Sequence, residues 1–113
     1  MKLAIIGSRN LPEISIEEFV SDEVTEIVSG GAKGIDTLAK DFARRKEIPI
    51  VEFLPKYNLY GRAAPLKRNE EIAQYADEAI ALWNGKSKGT EHTIKLFNKL
   101  GKKVTIVILK ENY

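Results

Sequence analysis

The stretch VSGGAKGID, residues 28–36, decides how this 113-residue chain folds. It joins an apolar run that ends at Val28 to a segment that begins at Ile35 and carries apolar residues at helical spacing. This order predicts a strand, a tight glycine-rich turn and a helix. Glycines allow positive φ and a close approach to the backbone, and the free N–H groups of the helix attract anions. The stretch therefore predicts a seat for a phosphate or another anion.

The same arrangement occurs twice more along the chain. The sequence GSR, residues 7–9, follows an apolar run near the start, and NGKSKGT, residues 84–90, follows another such run later. Parallel strands bring their carboxyl ends to one edge of a sheet, where α/β proteins bind ligands. The three turns together predict one shared pocket.

Apolar runs alternate with helical patterns along the rest of the chain. We predict strands over 2–6, 25–29, 50–54, 78–83 and 103–109, helices over 15–20, 33–46, 65–75 and 90–100, and a loop over 56–64. Continuous apolar strands that alternate with helices are typical of a parallel sheet covered on both faces. The expected fold is α/β, a single Rossmann-like doubly wound sheet of about five mainly parallel strands with helices on both faces, in one domain over 1–113.

Local signals refine these elements. Ser15 and Glu18 have the spacing of a capping box, which predicts the start of the first helix. Gly101 occupies the position of a glycine that ends the last helix. The inward side of the third helix is expected to carry Leu66, Ile72, Ala73 and Ala76. We expect His92 to be a solvated helical residue, and Asp77 and Glu78, at the amino end of the fourth strand, to be structural.

Composition excludes several classes of function. The formal net charge of +2 is too small to indicate nucleic-acid binding by itself. The chain has no cysteine and a single histidine, His92, which excludes thiol catalysis, cysteine-based zinc and a histidine-rich metal site. No apolar run is long enough to cross a membrane or to resemble a signal peptide. We therefore expect a cytoplasmic protein without a membrane partner, without a metal and without a required cofactor.

The candidate ligand-binding residues come from the three turns and from the start of the third helix. They are Gly7, Ser8, Arg9, Ser29, Gly30, Gly31, Ala32, Gly34, Asp36, Arg68, Asn69, Asn84, Ser87, Gly89 and Thr90. Arg9 and Arg68 could each hold a phosphate through the guanidinium group, although an arginine on a solvated turn or helix face is the alternative. We expect Asp36 to shape the pocket rather than to bind the ligand. Thr90 could be the N-cap of the last helix, a phosphate contact, or both.

Three further side chains have open interpretations. Tyr57 or Tyr60 could stack on a base, but a loop tyrosine that covers the core is equally consistent. Trp83 could flank a base, pack within the fold or contact another subunit. Glu91 is the carboxylate that adjoins the third turn, and with Arg68 it is a weak candidate for a catalytic role.

These motifs, in this order, resemble the SLOG superfamily, and the resemblance spans nearly the whole chain. The pattern consists of G-S-R, V-S-G-G-A-x-G-I-D-x-x-A, G-x-A-x-x-x-R-N, A-D-x-x-I-A-x-W and S-K-G-T. It is most similar to the small stand-alone branch related to YspA and YpsA. The second motif resembles the core of DNA-processing protein A, and S-K-G-T resembles the P-G-G-x-G-T turn of the LOG phosphoribohydrolases.

The resemblance implies a Rossmann-like domain that binds a nucleotide or a nucleotide-derived ligand. Arg68 matches the arginine of the LOG enzymes, but Thr93 stands where those enzymes have a glutamate. A binding or sensor module is therefore our first hypothesis, and we expect it to form a homo-oligomer. The alternatives are a LOG-type hydrolase of the N-glycosidic bond of nucleoside monophosphates, with Glu91 as a substitute acid, and a module that binds single-stranded nucleic acid.

Overall fold

The computed structural model describes residues 1–8, 14–31 and 34–109. Its centre is a sheet of five parallel strands in the spatial order β3-β2-β1-β4-β5. The strands are β1 (Lys2–Gly7), β2 (Glu26–Ser29), β3 (Ile50–Glu52), β4 (Glu78–Trp83) and β5 (Val104–Ile108). The fold class predicted from the sequence, a Rossmann-like doubly wound sheet, is confirmed.

In the described residues, four α-helices connect or flank these strands. They are α1 (Ile35–Arg45), α2 (Tyr57–Tyr60), α3 (Ala64–Tyr75) and α4 (Lys88–Lys99), with 3-10 turns at Glu17–Phe19 and Gly61–Ala63. The strand order reverses between β1 and β4, because the chain adds β2 and β3 on one side of β1 and then returns to add β4 and β5 on the other. In open α/β sheets such a reversal opens a crevice at the carboxyl ends of the two central strands.

Two apolar layers cover the sheet. On one side α1 packs with the segment before β2 against the alternate residues Leu3 and Ile5 of β1. On the other side α3 and α4 pack against Ala4 and Ile6. Successive side chains of a strand point to opposite faces, so β1 contributes to both layers and is almost completely buried.

The first predicted helix is much shorter than its sequence pattern indicates. The structure has a single 3-10 turn at Glu17–Phe19, its N-cap position is Ile16, and no side chain caps it. The predicted capping box of Ser15 and Glu18 is therefore wrong. A further turn follows at once, in which the Ser21 hydroxyl accepts the Glu23 N–H at 3.0 Å, and this turn ends the helical segment before it can lengthen.

Three other local predictions differ from the structure. The predicted loop over 56–64 contains α2 and a 3-10 turn. Leu66 is 48 % exposed rather than on the buried face of α3, because the cleft described below opens beside it. The helix α4 begins at Lys88, so its N-cap is Ser87 and not Thr90.

The predicted end of α4 is confirmed, since Gly101 follows the last turn with a φ of 71°.

The amino ends of β1 and β4 are joined by Asp77, whose carboxylate accepts the Lys2 N–H at 2.8 Å. This contact lies at the edge opposite the glycine turns, which agrees with the structural role expected for Asp77. Within the described ranges, no helix has both the length and the apolar character needed to cross a bilayer.

Candidate functional site

A cleft of about 340 Å³ opens at the carboxyl edge of the sheet, where β1, α3 and α4 meet. Its volume lies within the usual range of small-molecule sites, which is roughly 300–1,000 Å³. The lining residues are Ile5, Ile6, Gly7, Gly30, Ile35, Pro65, Leu66, Arg68, Asn69, Ile72, Ser87, Gly89, Thr90 and Thr93. The cleft therefore forms at the reversal of strand order, where the sequence predicted a shared pocket.

The cleft is lined by apolar and by polar side chains, and α3 contributes both kinds. Branched apolar side chains come from β1, from the start of α1 and from α3, and they include Ile5, Ile35 and Ile72. Polar groups come from α3 and from the beginning of α4. An apolar surface with a few polar groups is the usual composition of a site that binds an organic molecule with a charged end.

Among the described residues that line this cleft, Arg68 is the one cation. Its Nη1 donates a hydrogen bond to the Gly30 carbonyl, and its Nε donates to the Asn69 side-chain oxygen at 3.0 Å. In the part of the chain that the structure describes, no carboxylate forms an ion pair with Arg68. Burial lowers the pKa of Arg68, because the charged form loses water, and a weaker interaction with Tyr57 acts in the opposite direction. A half-buried guanidinium with unused donors is suited to an anionic ligand.

Asn69, which also lines the cleft, holds Arg68 in place. Its side chain is 7 % exposed, and its Nδ2 lies 3.3 Å from Nδ1 of His92 on α4. His92 is therefore half-buried between two helices, and the expectation that it is a solvated residue is wrong. The amide of Asn69 connects the arginine on α3 to the histidine on α4, which fixes the relative position of the two helices that flank the cleft.

Two glycines allow the close contacts around the cleft. A Cβ at Gly30 would lie 3.0 Å from Nη1 of Arg68 and 3.2 Å from Cδ1 of Ile72. A Cβ at Gly7 would lie 2.7 Å from the Leu82 carbonyl oxygen. Gly30 therefore makes room for the arginine, and Gly7 lets β1 and β4 end side by side.

The beginning of α4 supplies further polar groups of the cleft. Ser87 is the N-cap, and its hydroxyl accepts the Thr90 N–H at 3.4 Å and lies 3.2 Å from the Thr90 hydroxyl. Asn84 shapes the turn before it, because its side-chain oxygen accepts the N–H groups of Lys86 and Ser87 at 2.9 Å each. Among the described residues, none accepts the N–H groups of Lys88 and Gly89. These two donors and the dipole of α4 are suited to bind negative charge.

Asp36 belongs to a network that supports the glycine turn. Its carboxylate accepts the Ser29 hydroxyl at 3.0 Å and forms an ion pair with Lys40 at 3.1 Å. Lys40 also contacts Glu52 at 3.3 Å, and the hydrogen bonds to Asp36 and Glu52 raise its pKa. Asp36 does not line the cleft, which agrees with the structural role expected for it.

The predicted ligand-binding residues therefore divide into groups. Those that line the cleft are Gly7, Gly30, Arg68, Asn69, Ser87, Gly89 and Thr90. Those that are described but do not line it are Ser8, Ser29, Gly31, Gly34, Asp36 and Asn84. Arg9 and Ala32 lie outside the described residues. Two residues of the second group support the turns instead, since the Ser8 hydroxyl accepts the Asn84 N–H at 3.3 Å.

The remaining candidates lie at the rim or away from the cleft. Glu91 forms an ion pair with Lys95 at 2.9 Å, which lowers the pKa of Glu91, and it is not among the lining residues. Tyr57 and Tyr60 are 62 % and 42 % exposed, so neither covers the core. Trp83 donates from its indole Nε1 to the Ser87 carbonyl at 3.1 Å and thereby holds the start of α4.

Thr93 and the isoleucines were not among the candidate site residues, although the resemblance had already drawn attention to Thr93. Thr93 is 3 % exposed, lines the cleft and donates its hydroxyl to the Gly89 carbonyl at 3.0 Å. Its position three residues after Thr90 places it on the same face of α4, and this spacing is the signal that could have identified it. The isoleucines give no such signal, because a residue of the core and a residue that lines a cleft have the same pattern.

Comparison of the chain with family models, with curated proteins and with solved structures finds no match.

Proposed function

We propose that the protein binds a nucleotide or a nucleotide-derived molecule in the cleft at the carboxyl edge of the sheet, and that it acts as a binding or sensor module. The observation that carries this proposal is the state of Arg68. It is a half-buried cation that lines an apolar cleft and forms no ion pair with a described carboxylate. Burial of an unpaired charge is unfavourable, so a site of this kind is stabilised by an anion.

The hydrogen-bond donors and the apolar surface of the cleft together define the kind of ligand that fits. Arg68 and the unused N–H group of Gly89, which both line the cleft, are donors for phosphate oxygens, and the unused N–H group of Lys88 lies beside them. The isoleucines and Pro65 offer an apolar surface for a ring. A molecule with a phosphate at one end and a planar base at the other meets both requirements, which is why we propose a nucleotide rather than a free phosphate.

Binding is favoured over hydrolysis because the described lining of the cleft contains no carboxylate. Cleavage of an N-glycosidic bond needs an acid near the departing base. Glu91 is paired with Lys95 instead, and Thr93 uses its hydroxyl on the Gly89 carbonyl. The LOG-type reaction and the binding of single-stranded nucleic acid remain alternatives that the following experiment separates.

Calorimetric titration with a ligand panel tests the proposal. The panel contains AMP, ADP, ATP, GMP, cyclic nucleotides, NAD, ADP-ribose and cytokinin monophosphates, with inorganic phosphate, a free nucleoside and a single-stranded oligonucleotide as comparisons. We expect at least one nucleotide to bind more tightly than phosphate or nucleoside alone. At 100 times its Kd, that ligand should stabilise the fold by about 2.7 kcal/mol. Absence of binding by every nucleotide would contradict the proposal.

A matched pair of variants tests the role of Arg68. Arg68→Ala should weaken nucleotide binding by about ten- to a hundred-fold, since a hydrogen bond to a charged group contributes about 1.5–3 kcal/mol. Arg62→Ala removes the same charge from an exposed position in the turn before α3, outside the lining, and should leave the affinity unchanged. Equal losses in both variants would indicate a nonspecific charge effect. Chromatography of the titrated samples shows whether the nucleotide is recovered intact or has released its base.

A further inference from the structure

The outer edge of β5 has unpaired backbone groups. The Lys103 carbonyl accepts the Ala79 N–H at 3.0 Å, and the Leu109 N–H donates to the Trp83 carbonyl at 2.8 Å. Because alternate residues of a strand direct their N–H and C=O groups to the same side, the odd-numbered residues of β5 face β4. The backbone groups of Val104, Ile106 and Ile108 therefore point away from the sheet. Within the described part of the chain, no residue bonds to these outward groups.

The side chains of this edge are apolar and open to solvent. Ile106 is 45 % exposed and Ile108 is 59 % exposed. The sequence of β5 is VTIVI, which contains no charged residue, no glycine and no proline. Edge strands of monomeric proteins are usually short, or they carry charges or prolines that prevent further pairing.

The opposite edge of the same sheet has these protective features. The strand β3 has only three residues and ends at the charged Glu52. Pro49 precedes it, and Pro55 follows three residues after its end. The two edges therefore differ, and the edge of β5 is the one without features that hinder pairing with another strand.

We propose that β5 pairs with β5 of a second copy of this chain, antiparallel and with a two-fold axis at Ile106. The outward residues 104, 106 and 108 are symmetric about Ile106, so each outward N–H in one copy meets a C=O in the other. Val104 then lies opposite Ile108 of the second copy. Among the residues of β5 itself, no like charges face each other across the seam. The two sheets become one sheet of ten strands.

This interface is independent of the cleft. An antiparallel junction directs the carboxyl edges of the two sheets in opposite directions, so the two clefts lie at opposite edges and both stay open. None of the residues that line the cleft belongs to β5. Failure of nucleotide binding would therefore leave this proposal intact, and the reverse also holds.

The oligomeric state and one distance test the pairing. Sedimentation and light scattering between 1 and 100 µM should give a dimer. The chain has no cysteine, so Lys103→Cys accepts a single nitroxide label, at an exposed side chain. The two labelled positions are six residues apart along the strand direction, which corresponds to about 20 Å at roughly 3.3 Å per residue. A monomer at every concentration, or a dimer with label distances beyond 30 Å, would overturn the proposal.

Two variants of the edge and one control complete the experiment. Ile106→Pro removes an outward N–H and no hydrogen bond to β4, so the fold should persist and the dimer should dissociate. If the proline variant does not fold, Ile108→Lys introduces a charge at the more exposed edge position and should have the same effect. The control is Leu59→Lys, on α2, where Leu59 is 66 % exposed. Dissociation by the control, with the edge variants still dimeric, would place the interface elsewhere and contradict the proposal.

Discussion

At the scale of single residues, two glycines of the cleft should respond in opposite ways to the same substitution. In Gly30→Ala the added methyl group lies 3.0 Å from Nη1 of Arg68, so the guanidinium must move. We expect a loss of about 1–3 kcal/mol in unfolding free energy from overpacking, together with weaker nucleotide binding. Chemical denaturation and calorimetric titration measure the two effects. Unchanged affinity would mean that the position of Arg68 does not matter for the ligand.

The matched substitution is Gly89→Ala. No atom lies within 4 Å of a Cβ built at Gly89, which is in the first turn of α4. Alanine there should stabilise the protein by about 0.5–1 kcal/mol, because glycine loses more conformational freedom in a helix. The same denaturation experiment measures it. A destabilised Gly89→Ala would show that the turn needs a conformation that only glycine adopts.

Asn69 should affect ligand binding although its charge is zero. Asn69→Ala removes the acceptor that orients Nε of Arg68, so we expect the nucleotide affinity to fall while the arginine is still present. Gln74→Ala is the control, because Gln74 is an exposed residue of the same helix. Titration of both variants measures the difference. Equal affinities would mean that Arg68 is held by Gly30 alone.

The sequence patterns predicted which residues belong to the site, but they did not predict what each residue contacts. Gly30 and Arg68 were both predicted for the site, yet the bond between them joins residues 38 positions apart and has no local signal. Ser29 and Asp36 were predicted as one motif, and the structure has them bonded to each other outside the lining of the cleft. A polar residue beside a glycine turn can face the ligand or support the turn, and only the packing decides between these alternatives.

At the scale of the elements, a side chain from the segment before β5 caps the carboxyl end of α3. The ammonium group of Lys102 donates to the carbonyls of Ala73, Gln74 and Ala76 at 2.7, 3.0 and 2.8 Å. Lys102→Met should keep most of the side-chain volume and leave these carbonyls without a donor. We expect a loss of about 1–2 kcal/mol, measured by denaturation, with nucleotide affinity unchanged. Lys103→Met, at the exposed neighbour, is the control and should have little effect.

A hydrogen bond at the end of α3 also makes the free energy of unfolding depend on pH in the alkaline range. The hydroxyl of Tyr75 donates to the Glu26 carboxylate on β2, and this bond, with a smaller effect of burial, raises the pKa of Tyr75 above its ordinary value of 10.0. A group whose pKa is raised by folding stabilises the protein below the unfolded pKa and loses that contribution as the pH rises through the folded value.

Tyr75→Phe should therefore remove part of this pH dependence. Thermal unfolding between pH 8 and pH 11.5 should show wild-type stability falling more steeply above pH 10 than that of the variant. Phenylalanine retains the ring that lies 4.0 Å from the Lys2 ammonium group, so the comparison isolates the hydroxyl. Tyr60→Phe removes an exposed hydroxyl and should follow the wild type. Parallel curves for wild type and Tyr75→Phe would contradict the assignment.

Element types were easier to predict than their first residues. The helix α4 was expected to start at Thr90 and starts at Lys88, because the hydroxyl of Ser87 competes successfully as the cap. The helix α2 was missed because four residues are too few to show a period. The pattern before β2 resembled a capped helix, but the Ser21 turn follows it too closely.

At the scale of the whole molecule, the sheet was predictable because continuous apolar strands joined by helices have few alternative arrangements. The exposure of β5 was not predictable. Its sequence is as apolar as that of β1, and a strand at the centre and a strand at the edge can have the same composition. Whether such a strand is covered depends on the strand order and on what lies beside it, and neither is encoded locally.

The strand order has a consequence for synthesis on the ribosome. The strand β1 is made first, but its neighbour β4 is complete only when residue 83 has been added, and the beginning of α4 comes later still. Until then one edge of β1 is without a partner in the nascent chain, in a topology where distant pairings form slowly. The cleft needs Ile5 and Thr90 together, so it cannot exist on an incomplete chain that lacks α4. If the proposed nucleotide binds in this cleft, it would therefore bind only chains whose synthesis has passed the beginning of α4.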